Sequence, residues 1–295
     1  MLKSLQKAFK VKEVRDRLLY TFMMLVVIRI GCCLPIPGVD PSYLHDFFSN
    51  LQNSGMGFFN AITGGSFSSM SIFALSITPY ITSSIIMQLL TIAIPKLEEM
   101  QKDGEDGRKK IAEYTRYLTV GLALFESCAM AVGLGGKGLL LEDHRNIWGY
   151  LTVVAAMTAG SALLMWIGER ITDNGVGNGI SIVLLINIVS GTPQDMMTLY
   201  ERFMAGRSVA VATVSGIIVL AIIVAIVVFV LVLNDAERRI PVQYSKKMQG
   251  RRMIGGQSTY IPLKVNTANV IPVIFASSIM SMPVMIAQFF HVDYS

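Results

Sequence analysis

Residues 210–233 read AVATVSGIIVLAIIVAIVVFVLVL, twenty-four positions without a charged side chain. The hydrocarbon core of a bilayer is about 30 Å thick, and a helix crosses it with about 20 mostly apolar residues. This stretch is long enough to span, and it sets the solvent for the rest of the chain. Working outward, further candidate spans lie near 18–34, 72–94, 117–134, 149–167, 178–191 and 269–290. The pattern predicts an all-α, polytopic transmembrane helix bundle with seven crossings. The span at 178–191 is the weakest, with about a dozen apolar residues and Asn187 inside it, as suits a helix shielded by protein or lining water. Composition agrees: 53% of the 295 residues are hydrophobic and 15% charged, where a soluble domain carries about 25% charge.

A formal charge of +5 raises the question of nucleic acid, and the positions of the basic residues answer it. With the amino terminus cytoplasmic, twenty Lys and Arg fall on inner segments and four (Lys137, Arg145, Arg202, Arg207) on outer ones, with Arg29 inside span 1. This split meets the positive-inside rule strongly. The first apolar run leads into a Pro-rich turn, Leu34 to Pro37, and not into a small-residue cleavage site, so it reads as a retained span.

From Phe47 to Pro95 there is no charge for 49 residues, enough by length for two crossings. Two crossings would place the basic loop after Lys96 outside. Charge therefore selects one full span, Ser71 to Ile94, preceded by a segment that enters the membrane domain without crossing it. Gly55, Gly57, Gly64, Gly65 and a Ser run interrupt Phe58, Phe59, Ile62 and Phe67 there. Irregular backbone at membrane depth is tolerated only inside protein or beside water.

Between spans 6 and 7, Ile240–Tyr244 and Thr259–Val265 are β-prone and flank a basic, Gly-containing tip, a pattern that fits a cytosolic hairpin. The inner loop Lys96–Arg116 mixes acids and bases around Gly104 and Gly107 and reads as a solvated connection.

Enzymatic chemistry finds no foothold. Metalloprotease, phosphate-loop and serine-hydrolase signatures are absent. His45, His144 and His291 are far apart, and Cys32, Cys33 and Cys128 make no metal-ligand or disulfide spacing. Neither a catalytic residue nor a metal or cofactor is expected. The Gly175, Gly177, Gly179 run follows a membrane helix instead of a strand and reads as a tight turn. Two readings are open for Glu126 in span 3: a protein-facing, hydrogen-bonded structural residue, or part of an ion pathway. Arg29 lies near the outer end of its helix, within snorkelling reach of the interface. Ile77 and Ile81, and Ile180 and Leu184, are pairs four residues apart on single helix faces; lipid contact and bundle packing account equally well for such spacing.

The text itself resembles a known family. Arg29-Ile-Gly with Pro35-Ile-Pro-Gly-Val-Asp40, Ile72-Phe-Ala-Leu with Pro79-Tyr-Ile, Gly107-Arg-Lys-Lys-Ile with Tyr114-Thr-Arg-Tyr117, Gly175-Val-Gly-Asn-Gly-Ile-Ser181, Gln249-Gly-Arg-Arg252, and Gln257-Ser-Thr through Pro262-Leu-Lys-Val-Asn266 to Ile271-Pro-Val-Ile-Phe-Ala-Ser-Ser278 are together similar to the SecY family of protein-conducting channel subunits. The resemblance covers the whole chain. It implies a ten-span inverted-repeat channel, of which residues 1–191 would be the five-span amino-terminal half and 192–295 the start of the second half, spans 6 and 7. Spans 8 to 10 would then be missing, and a fragment of a longer reading frame is expected.

The resemblance further implies a narrow pore ring of Ile77, Ile81, Ile180, Leu184 and Ile274, with a sixth position beyond the chain. A short re-entrant plug helix, about 55–69, would rest on the ring and include Phe58, Phe59, Ile62, Gly64, Gly65 and Phe67. A lateral gate between spans 2 and 7 would use Ser83, Ser84, Gln88, Asn269, Ser277 and Ser278, side chains equally suited to ordinary helix packing. The basic loop at about 235–266, with Arg239, Lys246, Lys247, Arg251 and Arg252, would dock the ribosome and the SecA ATPase, although those charges also serve topology. The implied partners are SecE and SecG, SecA, the ribosome, signal peptides, nascent chains and membrane lipids. The implied location is the bacterial plasma membrane. Rival readings are a secondary transporter with inverted repeats and an inactive channel fragment.

Overall fold

The computed structural model describes residues 11–40, 63–134, 140–141, 145–242, 247–249, 252–254, 259–267 and 276. Within these, seven helices precede a set of short strands: α1 (Lys12–Cys33), α2 (Thr78–Ala93), α3 (Pro95–Lys102), α4 (Glu105–Leu134), α5 (Ile147–Asn174), α6 (Gly179–Phe203), α7 (Val209–Asp235), then β1 (Glu237–Val242), β2 (Lys247–Gln249), β3 (Arg252–Ile254) and β4 (Thr259–Lys264). A helix occupies each of the first six expected spans; the seventh, apart from residue 276, lies outside the described residues.

By length and hydropathy, α5, α6 and most of α7 each suffice to cross a membrane, and α2 with α3, bent by 103°, makes a fourth candidate. Pro95 at the first position of α3 accounts for the bend, because it has no N–H to continue the ladder of α2. Gly104, at φ 86°, ends α3, and Glu105 and Asp106 open α4, where the helix dipole favours acids. The chain divides into two compact units, residues 1–193 with 275–295, and residues 194–274.

Two helix boundaries depart from expectation. Helix α2 starts at Thr78 and not Ser71, and residues 63–77 run as successive turns. Met70 and Ser76 take left-handed φ values of 40° and 52°, which no α-helix accommodates. For the described part of the expected plug, 63–69, the helix is therefore corrected to turn structure; residues 55–62, including Phe58, Phe59 and Ile62, lie outside the described residues. Helix α6, in turn, runs past 191 through Pro193 to Phe203.

In the first unit, α4 packs on α5 and α2, and α1 on α5. Ser127 meets Thr158 by a hydroxyl–hydroxyl bond of 3.1 Å, and Arg116 donates to Glu169 at 2.7 Å near the other end of the same helix pair. The turn after α1 pairs with the approach to α2: Ile36 N–H donates to Met70 O and Ile72 N–H to Leu34 O, each at 3.0 Å. Around this join lies one buried apolar cluster, with Ile36, Phe67, Met70, Leu75, Met130 and Met157 at its heart.

In the second unit, α7 presents no buried residue across its membrane-length window, whose mean hydropathy is 3.6. Beyond it the strands form two antiparallel ladders. β1 pairs with β4, from Glu237 opposite Lys264 to Val242 opposite Thr259, and β2 pairs with β3. The β-prone stretches flanking the basic tip thus meet as an extended hairpin, and an all-α description holds for the membrane helices but not for this loop.

Candidate functional site: an apolar convergence beneath a polar join

The site is assembled at the α5–α6 turn. Asn178 caps α6, its Oδ1 accepting from the N–H groups of Ile180 (3.0 Å) and Ser181 (3.4 Å), while Thr172 Oγ1 accepts from Gly179 N–H at 2.9 Å. Gly177 at φ 71° makes the reversal. A side chain on Gly179 would collide with the backbone oxygen of Gly168, so the two helices touch backbone to backbone.

That contact aims the first turns of α6 at the start of α2. The Cδ1 atoms of Ile180 and Ile77 lie 2.8 and 3.6 Å from where a Cβ on Gly168 would stand. Ile77, Ile81, Ile180 and Leu184 all belong to one apolar cluster, with Ile28, Phe73, Leu164, Ile167, Ile171 and Val183. Ile77 is fully buried there, and the other three are half-buried at its edge. Phe73 is seated by Gly31, where a Cβ would meet its ring. Ile274 lies outside the described residues.

Of the expected plug residues, Gly64 and Gly65 take φ values of 66° and 79°, and Phe67 is 3% exposed in the neighbouring cluster. Among the lateral-gate candidates, Ser83 is buried and donates back to Pro79 O at 2.7 Å, so its hydroxyl serves its own helix. Ser84 is half-buried and Gln88 exposed; Asn269, Ser277 and Ser278 lie outside the described residues. Arg239 is exposed on β1 and stacks over the Tyr260 ring at 4.6 Å, across the register that sets Pro241 opposite Tyr260. Lys247 and Arg252 fall on β2 and β3, while Lys246 and Arg251 lie outside the described residues.

Glu126 is 7% exposed, so it faces the bundle, but its Oε2 has no hydrogen-bond partner. Its burial fits the protein-facing side of the structural reading, while the unpartnered Oε2 leaves that reading and the ion-pathway one both standing. Outside the spans, the Lys102 ammonium bonds Glu98 at 2.6 Å and draws its carboxyl below the ordinary value, and the Glu169 carboxylate holds the Arg116 guanidinium above its own.

One feature was not foreseen. Asn187 is 1% exposed, and its amide donates to Ser76 Oγ at 2.9 Å. Ser190 Oγ donates to Asn187 O at 2.6 Å and accepts from Arg29 Nη1 at 2.8 Å. The only sequence signal was a polar residue in a weak span; its partner stands 111 residues away.

Membrane-length helices converging on an aliphatic cluster, with a basic hairpin on a separate unit, define a polytopic α-helical membrane protein. Residues 71–295 match the SecY protein family. A protein translocase subunit SecY of Streptomyces scabiei is 46% identical over 98% of this chain and 68% of its own length, and that of Pseudomonas aeruginosa 42% identical over 94% and 62%. The chain belongs to the SecY family. Among solved structures, a protein conducting channel superposes with a TM-score of 0.55 at 19% identity, covering 94% of this chain and 59% of that one. Sec61 in a canine ribosome–channel complex from the endoplasmic reticulum gives 0.54 at 20% identity, covering 94% and 59%. At that identity the likeness concerns the fold. The chain spans about two thirds of the length of its curated relatives, from 62% to 68%, and less of the solved channels.

Proposed function

We propose that this chain supplies seven of the ten spans of a protein-conducting channel in the bacterial plasma membrane, passing unfolded polypeptides across and releasing apolar segments sideways into lipid. The observation that carries the reading is the meeting of Ile77, Ile81, Ile180 and Leu184 in one apolar cluster, although about a hundred residues of chain separate the two pairs. Aliphatic side chains bind no particular peptide sequence, and a constriction lined by them excludes ions by dewetting. Ile274 would complete this part of the ring.

In this reading residues 55–69 form the plug, with Gly64, Gly65 and Phe67 at its end. Spans 2 and 7 form the gate, through Ser84, Gln88, Asn269, Ser277 and Ser278 with Ser83 as filler. The hairpin around 235–266 docks SecA or the ribosome, and SecE and SecG complete the assembly. The chain performs no catalysis, so energy for transport comes from the partners.

The test is site-specific photocrosslinking from Ile81 and Leu184, in the full-length protein, to a precursor stalled in transit. Crosslinks at both positions are expected, together with a rise in ion leak for I81N. Ion-coupled solute uptake without crosslinks would instead select the transporter reading, which the buried Glu126 supports among the described residues.

A further inference from the structure

The bonds joining α1, α6 and the 63–77 segment meet at the edge of the apolar cluster. Ser76 immediately precedes Ile77, and Asn187 lies one helical turn beyond Leu184, so both polar partners adjoin ring candidates. Gly64 approaches the same place: a Cβ there would stand 2.6 Å from Asn187 O and 2.9 Å from Ser190 Oγ. The segment therefore touches α6 at two points, through a glycine that leaves no room and through a serine that accepts a hydrogen bond.

Ser76 is held in the left-handed region, at φ 52°. A non-glycine residue persists there only when its surroundings over-determine it, and here the Asn187 amide supplies that constraint from outside the segment. Ser190 and Arg29 brace the arrangement by fixing the turn of α6 that carries Asn187. The closure is incomplete, because Asn187 Oδ1 is buried without a partner. A contact that is strained on one side and half-satisfied on the other closes the join and opens at small cost.

We propose that Asn187, Ser76, Ser190 and Arg29 form a polar latch that holds the 63–77 segment against α6 and sets how readily the channel opens at rest. The proposal rests on the channel reading above. The four are positioning residues: none is required to touch the passing polypeptide, and each acts through where it keeps the segment.

The experiment is potassium chloride current through the full-length protein in planar bilayers, comparing wild type with S76A, N187V, the S76A/N187V pair, S190A and I81N. The Asn187–Ser76 bond accounts for about a threefold to tenfold rise in resting open probability in either single variant, within the range for polar contacts between membrane helices. The pair should rise no further than the larger single, since both remove one bond. S190A, which leaves that bond in place but removes its brace, should rise by less.

A purely structural role would lower the amount of folded protein without raising current per channel. Unchanged current in S76A and S190A beside a raised current in I81N would overturn the latch and leave the channel reading standing, as would multiplicative effects in the pair. Unchanged current in every variant, I81N included, would overturn both.

Discussion

The backbone contact at the α5–α6 turn makes a prediction by contrast. Gly168→Ala and Gly179→Ala add the same methyl on facing helices, into different obstacles. At Gly168 the nearest atom is the Cδ1 of Ile180, at 2.8 Å, the free end of a side chain with other rotamers. Shifting it is cheap, and replacing a glycine inside helix α5 by alanine recovers about 1 kcal/mol of helix propensity, so G168A should fall within about 1 kcal/mol of wild type. At Gly179 the obstacle is the oxygen of Gly168 itself, with Ile171 Cβ behind it at 2.8 Å. Backbone cannot rotate away, so α6 must shift as a body; overpacking costs of about 1–3 kcal/mol apply at or above their upper end. At about 2–4 °C per kcal/mol for a domain of this size, G179A should melt about 6–12 °C below wild type and G168A within a few degrees of it. Thermal unfolding of the purified protein in detergent, followed by thiol-reactive dye or size exclusion, reads this directly. Equal losses in the two variants, or a G179A protein as stable as wild type, would refute the backbone contact and the placement of Ile180 derived from it.

Two further outcomes follow from the polar surface. Glu98 titrates below its ordinary value of 4.5 because Lys102 stabilises the carboxylate; a depressed folded-state value means the pair's contribution is present above the ordinary value and is lost as pH falls through the lowered one. Carbon NMR of the Glu98 carboxyl should give a midpoint below 4.5 that returns towards it in K102A, and a midpoint at or above 4.5 in wild type would remove the ion pair. On the docking role proposed above for the hairpin, Tyr260→Ala, which removes the ring beneath Arg239, should weaken binding of SecA or ribosomes about twofold to fivefold, while Tyr260→Phe, which keeps the ring face, should not; equal losses in both would point to the hydroxyl instead.

Much of the fold was legible because hydropathy and charge act locally. The apolar run at 210–233, the basic residues around it and the β-prone stretches beside Lys247 each announce their own element. The beginning of α2 was not legible, since nothing in Ser71–Ile77 forbids a helix; the turns there depend on pairing with Leu34–Ile36, far earlier in the chain. Nor was the continuation of α6 through Pro193 to Phe203, because the apolar run that marked the span ends near 191 and polar residues follow. For the site, five aliphatic residues could be nominated by resemblance, but the convergence of the four that are described depends on Gly168 and Gly179, whose role exists only when both helices are present. Asn187 was visible as a flaw in a span. Its meaning lies with Ser76 and Ser190, and one of these is on another element.

The weakness of α6 has a consequence for how the protein is made. Its best window has a mean hydropathy of 1.3, against 3.6 for α7, and it carries an amide to mid-helix. Such a segment gains little by entering lipid alone. The partners that shield Asn187 and Ser190, namely Arg29 and Ser76, are synthesised earlier, as is the backbone of α5 that receives Gly179. Membrane assembly is thus ordered in time as well as in space: α6 settles into a berth that its predecessors have already prepared, while α7, needing no such reception, can enter on its own.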